Sequence, residues 1–332
     1  MRRGVLAVAV SSLLASSTAL AQNPFSFLAA GWTADLVSSG NQGSIGIAFT
    51  AGGNLIRSDG YGTFYYHNVT DDTPYLGGMI RSSSTHTVGG CGPICNGYGM
   101  VVAGNGYLYS QTGGGQIAKI DVGTWTATYF AADAGNYGMK MRTDGNIVYN
   151  NSFNGVSVFN VATNTSTQIF NDGVFHDDLA VSPDGHIFIA ELGNGVKVLD
   201  AAGNEVNHVY PPSNADGMAF GNGALYARNT DGSIKRYDFS GAGYTGAISE
   251  TLIAYGNRYS DFGAVGPDGA FYIARLGASY PGGYDGGWNI VRLSSTDVHF
   301  DDNVAPEPAS MVLMTTGLIG LGAVIRRRRN NS

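Results

Sequence analysis

Between residues 44 and 300 short apolar runs alternate with turns centred on glycine, and the runs come two or three at a time. A run of three to six β-branched or aromatic residues reads as a strand, and a glycine between two runs supplies the positive φ that a tight connection needs. Residues 177–200 show the pattern best. Asp178-Leu179-Ala180-Val181 leads into a Pro183-Asp184-Gly185 turn, Ile187-Phe188-Ile189-Ala190-Glu191 follows, and a second glycine turn opens a third run at 196–200.

Copies of this unit recur along the chain. Apolar runs at 45–49, 98–102, 137–141, 178–181, 216–220 and 261–265 each lead to a turn glycine, at Gly53, Gly106, Gly145, Gly185, Gly223 and Gly269. Successive glycines stand 53, 39, 40, 38 and 46 residues apart. A second run follows each glycine, and a third appears at 117–121, 156–160, 196–200, 234–238 and 290–293. A period near 40 residues with about four strands per unit is the signature of propeller blades. The expected fold is therefore all-β, a six-bladed β-propeller over residues 44–300. A ring must be closed, or its first and last blades present unpaired edges. Residues 32–37, within an N-terminal segment at 22–43, have the character of the outer runs at 126–130 and 165–170, and are expected to complete the sixth blade. Residues 298–300 compete for that place.

Composition agrees with this reading. Fifty glycines and 19 tyrosines against 13% charged residues suit strands and tight turns rather than helices. The formal net charge is −7, yet Arg2, Arg3, Arg326, Arg327, Arg328 and Arg329 all lie at the two ends. Without the ends the body carries about 12 basic against about 24 acidic residues, a balance near −12. Such a surface argues against nucleic acid as a partner, because phosphate binding needs a basic face.

The ends read as addresses. Residues 1–21 have a basic start, an apolar middle and the small-residue pattern Ala19-Leu20-Ala21, so a secretory signal is expected to be cut before Gln22. At the other end, residues 301–308 form a linker ending in Pro306-Glu307-Pro308, and residues 309–332 hold an apolar stretch followed by Arg326, Arg327, Arg328 and Arg329. The 17 apolar or small residues 309–325 reach the lower limit for a membrane-spanning helix, and the arginines would hold the tail on the cytoplasmic side. A plain C-terminal anchor is one reading. In order and position, these three parts resemble the PEP-CTERM sorting signal of Gram-negative bacteria. That resemblance implies transient insertion in the inner membrane, processing by an exosortase near Pro-Glu-Pro, and release to the cell surface or an exopolysaccharide matrix.

The Pro-Asp-Gly turns and the Ile-Phe-Ile-Ala-Glu run resemble NHL-type repeats and the gluconolactonase (regucalcin-like) propellers, most clearly at 178–200 and 267–275. The same phase of the repeat carries candidate chemistry. His176, Asp177 and Asp178 precede the inner strand of the fourth unit, and Asp216 and Asp261 stand at that phase in the fifth and sixth. Tyr98 and Tyr137 occupy it in the second and third. Converging carboxylates repel unless a cation or proton lies between them; oxygen ligands of this kind suit Ca²⁺, Mg²⁺ or Mn²⁺, and His176 offers a nitrogen donor beside them. Lactonase-type propellers hold a metal at such a mouth through acidic and amide residues. Glu191 departs from their pattern, since it falls at the end of a second strand and away from the expected rim, and their set of asparagine ligands is missing. The other reading is that these aspartates cap turns or tie strands together.

Three further features complete the picture. Cys91 and Cys95 lie in the insertion that lengthens the first interval, and export favours a disulfide between them. Tyr280, Tyr284 and Trp288 in Y-P-G-G-Y-D-G-G-W could stack on sugar rings or fold back onto the blade. No G-x-S-x-G, H-E-x-x-H or phosphate-loop motif occurs. Two functions remain open at this point: an exported binding or structural module, with exopolysaccharide or surface proteins as partners, and a divalent-metal-dependent hydrolase of the lactonase type.

Overall fold

The structure is a computed structural model that describes residues 25–37, 45–60, 62–67, 84–88, 98–135, 137–151, 155–209, 215–256, 260–275 and 290–301. Its first strands, β1 (Phe27–Leu28) and β2 (Trp32–Leu36), join blades built from the other end of the chain. Blade 1 comprises β3 (Ile47–Phe49), β4 (Leu55–Ser58), β5 (Thr63–His67) and β6 (Ser84–Thr87). Blade 2 comprises β7 (Met100–Val102), β8 (Leu108–Thr112), β9 (Gly115–Asp121) and β10 (Thr126–Ala134). Blade 3 follows with β11 (Met139–Met141), β12 (Ile147–Asn151), β13 (Gly155–Asn160) and β14 (Thr165–Phe170). Blade 4 holds β15 (His176–Val181), β16 (Ile187–Glu191), β17 (Gly195–Leu199) and β18 (Glu205–Val209). Blade 5 holds β19 (Ala215–Gly221), β20 (Ala224–Asn229), β21 (Ser233–Phe239) and β22 (Ile248–Tyr255), with β1 added outside β22. Blade 6 is β23 (Ser260–Val265), β24 (Phe271–Arg275), β25 (Val291–Ser295) and, as its outermost strand, β2. The fold is a six-bladed β-propeller.

The turn glycines explain the period. All six adopt φ between 69° and 93°, which an L side chain rarely tolerates. In blade 4, Gly185 N–H donates to Ser182 O and Ser182 N–H to His186 O, and the same pair of bonds recurs around Gly53, Gly106, Gly145 and Gly269. Blade 5 makes the turn more tightly, with Asn222 and Gly223 both at positive φ, as a two-residue hairpin requires.

The inner strands β3, β7, β11, β15, β19 and β23 touch in sequence, and β23 meets β3. The core is divided accordingly, one apolar cluster at each blade interface. Between blades 4 and 5, for example, Phe188 and Val198 pack on Met218, Phe220 and Leu225. Closure comes from the N-terminal segment: Trp32 to Leu36 pair antiparallel with Ser295 to Val291. Residues 298–300 do something else. Phe300 bridges to Gly221, donates its N–H to Gly269 O and fills the interface of blades 5 and 6 beside Trp32 and Tyr226. The expected leader at 1–21, Cys91 and Cys95, the 280–288 loop and the tail from 302 lie outside the described residues. Among the described residues, no helix is long and apolar enough to cross a membrane.

Candidate functional site

The inner strands of blades 4, 5 and 6 each begin with a break in register, between His176 and Leu179, Ala215 and Gly217, and Ser260 and Gly263. Such bulges re-aim side chains. In blade 4 the bulge separates two neighbours. His176 pairs in register with Glu191 within the blade, whereas Asp178 meets partners supplied by blades 3 and 5.

Asp178 is fully buried and accepts the N–H of Met218 at 2.8 Å. Its carboxylate lies 3.2 Å from Lys140 Nζ of blade 3, and that ammonium also donates to Gly263 O of blade 6 at 2.6 Å. Lys140 thus reaches right across the ring. Burial pushes the Asp178 carboxyl up, against the pull of Lys140 and the N–H groups of Met218 and Leu179. The channel around this strut is otherwise largely apolar, with Met100, Met139, Met141, Met218 and Phe49 among its walls.

The remaining residues at this phase are held in similar ways. Asp216 forms a close ion pair with Arg228, itself 1% exposed. Asp177 serves through its backbone: its carbonyl accepts from Gly138 N at 2.7 Å and from Asn150 Nδ2 at 2.8 Å. Gln111 repeats this clamp one blade earlier, accepting from Tyr137 N and donating to Gly138 O, both at 3.0 Å. Gly138 leaves no space for anything larger, since a Cβ there would stand 2.7 Å from Asp178 Cα. Tyr137 packs edge-on against Phe175, and Tyr98 lies near Phe262. Asp261 is in β23, and its side chain is outside the described residues, as are Tyr280, Tyr284 and Trp288. Asp178 and Asp216 each face a cation of the protein, Lys140 and Arg228.

A second cluster lies within blade 4, and it gathers His176 with residues from every strand of the blade. Asp172, on the connection from β14, stands 3.2 Å from His176 Nε2, and Glu191 Oε1 stands 3.5 Å from the same nitrogen. Lys197 on β17 contacts Asp172 closely and Glu191 Oε1 at 2.8 Å. His208 on β18 approaches Glu191 Oε2 at 3.3 Å, and Asn194 donates to that oxygen at 2.7 Å. Glu205 lies 3.6 Å from Lys197 on the outer side. Bonds from His176, Lys197 and Asn194 outweigh burial and hold the Glu191 carboxyl down at about 2. Lys197 is raised by the same carboxylates.

Glu191 is therefore no outlier at the edge of the pattern. The register places it opposite His176 and at the centre of the charged group. One signal in the sequence bears on this: Ser58, Thr112, Asn151 and Asn229 end the second strands of blades 1, 2, 3 and 5 with neutral polar groups, all buried. A full charge at a buried polar position demands partners, and Lys197 lies on the next strand. Asp172 and His208 carry no such mark.

Comparison with known proteins adds an address and a fold. Residues 304–329 match the PEP-CTERM protein-sorting motif, so the chain carries the signal of an exported protein handled by an exosortase. No curated protein matches the chain in sequence. Among solved structures it is similar to a virginiamycin B lyase from Staphylococcus aureus, with 14% identity, TM-score 0.56, and coverage of 79% of this chain and 99% of that one. A gluconolactonase candidate shares 16% identity at TM-score 0.58, covering 82% and 95%. The PQQ-bound aldose sugar dehydrogenase of Streptomyces coelicolor shares 12% identity at TM-score 0.61, covering 83% and 100%. At these identities the likeness is one of fold.

Proposed function

We propose that this protein is an exported six-bladed propeller, freed by an exosortase at the cell surface or in the extracellular matrix, where it acts as a binding or structural module. The observation that carries this reading is the sorting motif at 304–329, which begins three residues beyond the last described residue of the closed ring. Exopolysaccharide is the ligand class that suits the destination, with Tyr280, Tyr284 and Trp288 as the stacking platform. The acidic body favours a hydrated, neutral polymer over an anionic one.

The test is made on the full chain expressed in a host that has an exosortase. Cleavage near Pro306, recovery of the ring in the surface or matrix fraction, and co-sedimentation with isolated matrix polysaccharide are expected. Retention of the uncut chain in the inner membrane would remove the sorting reading. A delivered ring that bound neither polysaccharide nor surface protein, yet turned over a lactone or ester panel in a metal-dependent way, would favour a lactonase-type hydrolase.

A further inference from the structure

In the charged cluster of blade 4, Asp172, Glu191 and Glu205 bring three carboxylates around a single lysine, Lys197. His176 and His208 join these contacts. A second observation concerns the first of these imidazoles. His176 is fully buried; its Nδ1 has no hydrogen-bond partner among the described residues, and its Nε2 meets the carboxylates of Asp172 and Glu191 at 3.2 and 3.5 Å. Buried polar atoms of this kind are rare unless something is meant to meet them.

The spacing of the donors says what would. Two ligands about 2.0–2.2 Å from one tetrahedral ion stand about 3.3–3.6 Å apart. His176 Nε2 lies 3.2 Å from Asp172 Oδ1 and 3.5 Å from Glu191 Oε1, and the ligand atoms of the three residues all fall within 4.8 Å of one another. An imidazole with two carboxylates suits a borderline transition-metal ion, whereas Ca²⁺ and Mg²⁺ call for an all-oxygen shell.

We infer that Asp172, His176 and Glu191 form a binding site for a divalent transition-metal ion of the Zn²⁺ class. Lys197 is its competitor. The ammonium rests against the same two carboxylates and has Glu205, 44% exposed, on its outward side. Metal entering the site displaces the ammonium toward Glu205 and solvent. Asp172, whose side chain is 18% exposed, is the donor nearest to water and gives the ion its path. This inference does not depend on the sorting reading, because the blade carries the cluster wherever the ring is delivered.

The experiment uses the full chain without a histidine tag, stripped with a chelator and titrated with Zn²⁺, Mn²⁺ or Ca²⁺ by calorimetry and thermal unfolding. One Zn²⁺ per chain and a rise in Tm are expected, with no response to Ca²⁺ at the same concentration. Lys197→Met removes the competing ammonium and should tighten Zn²⁺ binding and enlarge the rise in Tm. His176→Gln and Asp172→Asn should abolish the response, and Asp172→Asn, at the least buried donor, keeps the test open if the other variant unfolds. Absence of stoichiometric Zn²⁺ in both wild type and Lys197→Met would overturn the inference. So would binding that survives Asp172→Asn unchanged, since the ion would then lie elsewhere. Either failure leaves the cleavage and delivery experiment untouched.

Discussion

Asp178 and Glu191 are both fully buried carboxylates of blade 4, and both stand beside a lysine. Their surroundings nevertheless differ in kind. Asp178 has one cation, Lys140, and accepts backbone N–H groups from its own and the next blade. Its charge is met, and burial still pushes its carboxyl up. Glu191 shares Lys197 with Asp172 and Glu205, faces two histidines, and is held at about 2. The first group fastens four blades across the channel. The second belongs to a cluster in which three carboxylates share one lysine. A buried acid is thus a fastener or a ligand according to how many carboxylates its cation must serve.

The largest expected effect comes from breaking the fastener. Asp178→Ala strips Lys140 of its carboxylate and leaves Met218 N–H without an acceptor. Loss of one partner of a buried pair costs about 3–5 kcal/mol, here somewhat less because the Lys140 side chain is 21% exposed. Urea unfolding at neutral pH measures it. Lys140→Met is the complementary break. It leaves Asp178 buried without its cation, so the carboxyl rises further and the folded state favours its protonated form. Stability is then unaffected below the ordinary carboxylate range and is lost as pH rises from there through the raised folded value. The stability gap between wild type and Lys140→Met should therefore shrink from pH 7 to pH 4. A gap independent of pH would mean that Asp178 gains little from Lys140.

Glu191 gives the opposite sign. Its folded value, about 2, lies below the ordinary 4.5. Its contribution is complete above pH 4.5 and is lost as pH falls toward 2. Glu191→Gln should flatten the acid limb of the stability curve over that window while leaving the Asp178 limb in place. Thermal unfolding at half-unit pH steps separates the two. An unchanged acid limb would show that Lys197 and His176 do not favour the ionised form.

How much of this could be read in the chain follows from distance along it. The turn glycines, the period and the closing strand are local patterns, each visible within a few residues of Gly185 or Trp32. The phase that carries Asp178 and Asp216 was legible for the same reason. Their partners were not: Lys140 meets Gly263 across 123 residues, and nothing near either marks the other. The blade 4 cluster hid differently. Its members are close in sequence, but they come from four strands and one connection, and only the cross-strand register of His176 with Glu191 brings them together. A one-residue change at the bulge would have sent His176 to the channel with Asp178, which is the grouping that their adjacency suggests.

That bulge is also braced at its backbone by an asparagine of the preceding blade, and this gives the smallest and most informative prediction. Asn150 Nδ2 donates to Asp177 O at 2.8 Å, on the peptide between the histidine that faces the cluster and the aspartate that faces the channel. Asn150→Ala removes one hydrogen bond, worth about 1 kcal/mol, while Gly138 N–H continues to hold the same carbonyl. If the bulge is what sorts the two acids into their roles, this modest loss should be felt at both. The Lys140-dependent slope and the Glu191-dependent limb at low pH should both weaken, although Asn150 touches neither carboxylate. A loss of about 1 kcal/mol that left both pH dependences intact would show that β16 and β19 fix the two side chains without help from the bulge.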